Sequence, residues 1–266
     1  MSTTAAAGAG PLVVISGASS GIGQALALQA WAQGCRLLLL ARREAEMAHW
    51  VAAQGLDATR VRCMAVDVRD LAAVAAAGRH CLDELGVPDI VIANAGLSIG
   101  VDTADAADLE VMRMTWETHN LGTAALFQPF VAAMCARGSG RLVGVASVAG
   151  IRGLPGHGAY CASKAGVISY CESLRGECRP YGVKVVTLVP GYVDTPLTRG
   201  NPYGMPFLMP AEDFARIAWR AIEAGERYRV IPWQMGWIAR LMRLLPDALF
   251  DRLLAGRPRK PRRPGA

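Results

Sequence analysis

Two side chains four positions apart, Tyr160 and Lys164, carry the first chemical signal in this chain of 266 residues. They fall in a stretch long enough for a helix, so they share one face and reach each other. A phenol, with an ordinary pKa of about 10, is a poor acid or base near neutrality. A neighbouring ammonium favours the phenolate, and the sequence predicts that Lys164 lowers the Tyr160 pKa towards a usable range. Ser147 lies 13 residues upstream of Tyr160, just past the apolar run 142–145. A hydroxyl there can hydrogen-bond a carbonyl oxygen and stabilise developing negative charge. These three groups could move a proton on and off an oxygen atom.

A second signal sits near the N-terminus. Gly17, Gly21 and Gly23, with Ser19, Ser20 and Ile22 between them, follow the apolar run 12–16 directly and open a helical stretch. A backbone passing close to a pyrophosphate needs residues without Cβ, and a helix N-terminus adds N–H groups and positive dipole. Gly23 would let that helix lie close to the sheet. A plain tight turn is the alternative, but the placement between strand and helix favours nucleotide binding. The second apolar run ends Leu40-Ala41-Arg42-Arg43, with no acid before Glu44. An acid there would accept from the ribose 2′-OH of NAD, whereas arginine accommodates the 2′-phosphate of NADP. Arg42, whose guanidinium forks onto phosphate oxygens, therefore points to NADP; the alternative is that both arginines are merely solvated.

The elements that must position these groups alternate. Short runs at 12–16, 36–40, 61–66, 90–92, 142–145 and 183–189 are almost continuously apolar. Such runs suit parallel strands covered on both faces. Between them, 22–34, 44–54, 71–86, 109–137 and 159–181 are long enough for helices. The pattern predicts an α/β fold with one doubly wound parallel sheet and a C-terminal helical extension. The expected organisation is a disordered N-terminus over 1–10, a cofactor-binding and catalytic domain over 11–232 and helices over 233–256. A basic disordered tail over 257–266 completes it. Trp233, Trp237, Leu241, Leu244, Leu245, Leu249, Phe250, Leu253 and Leu254 recur at helical spacing, and Pro246 should split them into two helices. With arginines interspersed, this segment could rest on a membrane surface, pack on the body, cover the site or meet another subunit.

The formal net charge is +6. Ten basic against three acidic residues over 226–266 account for it, leaving the remainder close to neutral. A nucleic-acid surface on the body is thereby excluded. Seven cysteines without a CxxC pair, and no signal-peptide pattern, read as reduced thiols in the cytoplasm. The four histidines lack ligand spacing, so no metal is expected. His157 reads as an exposed loop histidine in preference to a substrate-orienting one.

The segment from Ser16 to Gly23 resembles the cofactor loop of the short-chain dehydrogenase/reductase family. Four further motifs follow in that family's order: Asp67-Val68, Asn94-Ala95-Gly96, Ser147 with Tyr160-x3-Lys164, and Pro190-Gly191 with Thr195. The likeness covers about residues 11–225. It implies that Asp67 and Val68 hold the adenine and that Asn94 serves the adenosine side and the central sheet. Pro190, Gly191, Val193 and Thr195 would hold the nicotinamide side, Thr195 at the carboxamide. It implies Ser147 as the group that polarises the carbonyl, Tyr160 as acid/base, Lys164 as its partner and ribose ligand, and Asn120 as holder of a proton-relaying water. His119 departs from the family pattern and reads as local packing. The resemblance also implies a homo-oligomer, dimer or tetramer, built on 121–137 and 159–181. The resulting expectation is an NADP-dependent oxidoreductase interconverting a ketone and a secondary alcohol on a hydrophobic, lipid-like substrate. Ile151, Leu154, Pro155, Leu197, Tyr203, Met205, Phe207 and Leu208 would shape the substrate site. The alternative is an NADP-binding sensor or scaffold docking through its Trp-rich basic tail.

Overall fold

The computed structural model describes residues 10–262. Seven parallel strands form one sheet in the order β3-β2-β1-β4-β5-β6-β9. They are β1 (Leu12–Ser16), β2 (Arg36–Ala41), β3 (Val61–Ala65), β4 (Ile90–Ala93), β5 (Gly140–Val145), β6 (Val183–Pro190) and β9 (Tyr228–Ile231). A two-residue pair, β7 (Val193–Asp194) with β8 (Met209–Pro210), lies outside it.

The continuous apolar runs are explained by burial on both faces, because alternate side chains of a strand serve opposite layers. Val13, Ile15, Leu37 and Leu39 pack with Leu26 of α1 (Gly21–Ala32) and with Phe214 and Trp219 of α7 (Ala211–Ala224). Leu12, Val14, Leu38 and Leu40 pack on the other face. There they meet α3 (Leu71–His80), α5 (Gly122–Arg137) and α6 (Gly158–Cys178) through Val74, Phe127, Phe130 and Val167. Helix α2 (Glu44–Ala53) buries Met47 and Val51 in the first layer.

Several elements depart from the sequence reading. The stretch 109–137 is not one regular helix: α4 (Asp108–Trp116) and α5 are joined by a wider π turn, Glu117–Leu121. Such turns are frequent at functional sites, and this one carries His119 and Asn120. A second π turn, Cys81–Leu85, ends α3. Helix α7 was not anticipated, although Phe214, Ala215, Ala218, Trp219 and Ile222 give it a buried stripe at helical spacing.

Pro246 separates α8 (Trp233–Leu244) from α9 (Asp247–Leu254). Arg152 fastens this pair to the loop after β5. It donates to the carbonyl of Met242, to that of Leu245 at 2.8 Å and to Asp247 at 2.9 Å, with its guanidinium 3.8 Å from the Phe250 ring centroid. Residues 257–262, expected to be disordered, instead run back over the loops beyond the sheet's carboxyl edge, held by Lys260 and Arg262. The basic composition that suggested solvation supplies those contacts. The expected disorder over 1–10 and 263–266 lies, apart from Gly10, outside the described residues.

Candidate active site

The loops after β1, β2, β3, β4, β5 and β6 open on one side of the sheet, where a doubly wound fold places its ligands. They surround a cavity of about 380 Å³. Tyr160 and Lys164 reach it from the first turns of α6, and Val145 and Ala146 from the end of β5.

Burial sets the chemistry of this cluster. It pushes the Tyr160 phenol up to about 12, against a hydrogen bond with Ser147 that pulls the other way. Lys164 is buried, and loss of water brings its ammonium down to about 8. Its Nζ donates to the Val145 carbonyl at 2.8 Å and lies 5.8 Å from the Tyr160 ring centroid. The predicted lowering of the phenol by Lys164 is therefore corrected: desolvation dominates both groups, and the ammonium is turned to a backbone carbonyl. Ser147, buried, accepts from the Ala149 N–H at 3.2 Å, which fixes its hydroxyl at the start of a short 3₁₀ turn.

His119 ties these pieces together. Its Nε2 accepts from the Leu97 N–H at 3.0 Å, so its proton sits on Nδ1, 2.7 Å from Ser163 Oγ. Ser163 in turn donates to the Tyr160 carbonyl at 2.9 Å. The imidazole also meets the Tyr160 ring edge-on at 5.6 Å between centroids. Full burial, reinforced by the charge of Lys164, holds its pKa well below the ordinary histidine value, so the ring is neutral. Reading His119 as packing alone missed this strut. Asn120 Nδ2 donates to the Ser163 carbonyl at 3.0 Å, and its Oδ1 is buried without a partner among the described residues.

The glycine loop packs so closely on its neighbours that side chains would clash. A Cβ on Gly17 would lie 2.7 Å from Ala95 Cα, and one on Gly21 would lie 3.0 Å from the Thr195 side chain. At Gly23 a Cβ would strike the Gly17 carbonyl oxygen. Gly23 thus permits close approach within the loop and to Asn94, a narrower role than packing on the sheet. Asn94 braces this arrangement by donating to the carbonyls of Ser16 and Gly17, both at 3.2 Å. At the rim, Arg42 and Arg43 both line the cavity; Arg43 pairs with Glu46 at 2.9 Å, and Arg42 lies within electrostatic range of Asp67. Asp67 is held ionised chiefly by Arg69, whose Nη2 is 2.6 Å from Oδ2.

A family model described as short chain dehydrogenase matches residues 11–203. The chain belongs to the short-chain dehydrogenase/reductase family. An uncharacterized oxidoreductase of Myxococcus xanthus (strain DK1622) is 38% identical over 239 residues, covering 90% of this chain and 94% of the relative. The dehydrogenase/reductase SDR family member 7B of Bos taurus is 32% identical over 272 residues, covering 95% and 82%. A short chain dehydrogenase from Burkholderia cenocepacia J2315, solved in complex with NADP, superposes with a TM-score of 0.79 at 25% identity, covering 92% and 98%.

Not every motif residue of this short-chain dehydrogenase/reductase faces the cavity. Gly17, Ser19, Ser20, Gly21, Ile22, Arg42, Asp67, Val68, Asn94, Ala95, Gly96, Tyr160, Lys164, Pro190 and Thr195 line it. Ser147 and Asn120 are not among these lining residues, but Ser147 is hydrogen-bonded with Tyr160 and Asn120 with the Ser163 carbonyl. Gly191 lies under α8, where a Cβ would meet Met235 at 2.7 Å, and Val193 is buried in the β7–β8 pair. Arg69, Thr118, Leu97 and Pro196 also line the cavity and were not singled out from sequence. Arg69, two residues after Asp67, was the readable one. His157 corrects another expectation: it is buried, with Nε2 3.1 Å from the Tyr203 hydroxyl. Cys161 and Cys171 are buried, and desolvation raises each thiol to about 11, which leaves them unreactive.

Proposed function

We propose that this oxidoreductase uses NADP(H) to interconvert a ketone and a secondary alcohol on a hydrophobic substrate. The observation that carries the reading is one cavity lined both by the glycine cradle with Arg42 and by Tyr160 with Lys164. The residues fit the cofactor because Gly17 and Gly21 let the loop pack tightly on Ala95 and Thr195, which brings its backbone and the N-terminus of α1 to the cavity wall. Gly17, Ser19, Ser20, Gly21 and Ile22 would face the pyrophosphate, with Gly23 keeping their loop close-packed, and Arg42 the 2′-phosphate. Asp67 and Val68 would face the adenine, with Asn94, Ala95 and Gly96 on the adenosine side. Pro190 and Thr195 would shape the nicotinamide end, with Gly191 and Val193 supporting their loop from outside the cavity. When bound, the nicotinamide supplies or accepts the hydride.

The protein's own groups manage the oxygen. Ser147 donates to the carbonyl and steadies the developing negative charge. Tyr160, raised to about 12, is protonated at neutral pH and so arrives able to give its proton to that oxygen. Lys164, near 8, is still largely cationic and stabilises the phenolate left behind. Asn120 holds the water through which protons return to Lys164. Reduction is the direction this charge state favours. The test is NADPH oxidation against ketones of increasing alkyl length. A buried methylene is worth roughly 0.8 kcal/mol, so kcat/KM should climb about fourfold per CH₂ until the pocket is filled. Activity confined to small polar ketones would reject the hydrophobic pocket.

The same reading places the enzyme in the cytoplasm as a homo-oligomer on α5 and α6. It rests α8 and α9 on a membrane surface, because Trp233, Trp237, Leu241 and Leu244 are 63–81% exposed along one helix, with Arg240 and Arg243 among them. Among the described residues no helix is long and apolar enough to cross a membrane.

A further inference from the structure

Residues 257–262 tie together loops around the substrate side of the cavity. The Gly100 N–H donates to the Pro261 carbonyl at 2.9 Å, and a Cβ at Gly100 would strike the Lys260 carbonyl. Arg259 lies against Gly156, where a Cβ would come within 2.9 Å of it. Lys260 Nζ donates to the carbonyl of Leu197, a cavity-lining residue, at 2.8 Å and to Asn201 Oδ1 at 2.6 Å. The chain's own C-terminal segment thus bridges the loops that follow β4, β5 and β7.

The two cations at its end differ in what they face. Arg262 meets acids, pairing with Asp105 and, at 2.8 Å, with the buried Asp108. Lys260 meets only neutral oxygens, and among the described residues it forms no ion pair. Burial lowers its pKa with no acid opposing the shift. A tether to two carbonyl oxygens needs no charge, since an amide side chain could donate as well. A half-buried cation left without a counter-charge is costly unless an anion completes it.

The position of this charge relates it to the reacting centre. Lys260 acts electrostatically on His157, His157 lies 3.1 Å from the Tyr203 hydroxyl, and Tyr203 in turn feels Tyr160. Leu197, whose carbonyl accepts from Lys260, lines the same cavity as Tyr160, so the ammonium is tied to a wall of that cavity.

Resting on the reaction proposed above, we infer that the substrate bears an anionic group, a carboxylate or a phosphate, set apart from its carbonyl. Lys260 receives that group, with the Asn201 amide beside it. The substrate class is then an amphiphile: an apolar chain, a ketone and an acidic end.

The experiment follows NADPH oxidation with matched pairs in which only the charge changes. One arm pairs medium-chain keto acids with their methyl esters, and the other pairs phosphorylated hydroxyketones with their unphosphorylated parents. The arm with the larger preference names the anion. Wild-type enzyme should favour the charged member in kcat/KM by about tenfold to a hundredfold, the worth of a charge-assisted hydrogen bond. Lys260→Gln should bring that ratio close to one, and Lys260→Arg should keep most of it. No charge preference in the wild type, or an equal loss on both members in Lys260→Gln, would make Lys260 a tether only and overturn the inference. If no ketone is turned over, the reaction proposed above fails separately. Calorimetric titration of the same pairs into NADPH-loaded protein then still decides on the charge: tighter binding of the acid, lost in Lys260→Gln, supports the site, and equal binding rejects it.

Discussion

Replacing His119 with leucine removes one buried and one partly buried hydrogen bond while keeping a side chain of similar bulk. The Leu97 N–H loses its acceptor at 3.0 Å and Ser163 Oγ loses the donor at 2.7 Å. An orphaned buried donor costs about 1–3 kcal/mol and the second bond about 1 kcal/mol more, so unfolding free energy should fall by roughly 2–4 kcal/mol at pH 7.5. The pH dependence gives a sharper signature. His119 is held neutral when folded, with its pKa well below 6.5, but titrates normally when unfolded. Below about pH 6.5 the unfolded chain binds the extra proton, so the stability contributed by neutral His119 is full above that pH and is lost as pH falls. The slope is about 1.4 kcal/mol per pH unit until the folded imidazole itself is protonated. His157, also lowered by burial, adds a slope of the same sign, but it is present in both proteins and cancels in the difference. Guanidinium unfolding of wild type and His119→Leu between pH 5 and 8 should therefore show a gap that narrows as pH falls. A constant gap, or one below about 1 kcal/mol at pH 7.5, would refute the strut.

Arg42→Ala should weaken NADPH binding by about tenfold or more, because a charge-assisted contact to the 2′-phosphate is lost at an exposed rim, and should leave NADH within about twofold; calorimetry with both cofactors reads this, and equal losses would reject the NADP assignment. Reductase kcat should decline as pH rises through about 8, where Lys164 loses the charge that steadies the phenolate; a flat profile from 7 to 9 would remove that role. Trp233→Ser combined with Trp237→Ser should abolish sedimentation with anionic vesicles and the accompanying blue shift in tryptophan emission; no sedimentation of the wild type would end the membrane reading.

What the sequence made legible follows the strength of each physical constraint. The strands were readable because Leu37 to Leu40 and their counterparts are buried on alternate faces, leaving no polar position to interrupt the run. The motif residues were readable because Gly17, Gly21, Tyr160 and Lys164 each answer a requirement of conformation or chemistry that few residue types meet. Helix α7 was missed although its apolar stripe was present, since no chemical motif drew attention to it. The π turn at Glu117–Leu121 had no local signature: it shows only when Asn120 and His119 are seen reaching Ser163 on another helix. The pKa expectation for Tyr160 failed because sequence gives the neighbour, Lys164, but not the burial that outweighs it. The described part of the tail was misread for a related reason. Composition cannot say that Asp105 and Asp108 stand where Arg262 arrives.

The proposed reaction turns on Tyr160 as the proton donor to the reacting oxygen. Stopped-flow NADPH oxidation by Tyr160→Phe, with a ketone the wild type reduces, tests it alone, because the change deletes one hydroxyl and leaves the cradle untouched. Turnover should fall by at least about a thousandfold, with NADPH binding within about twofold of wild type. Turnover within tenfold of wild type, at equal NADPH affinity, would contradict it.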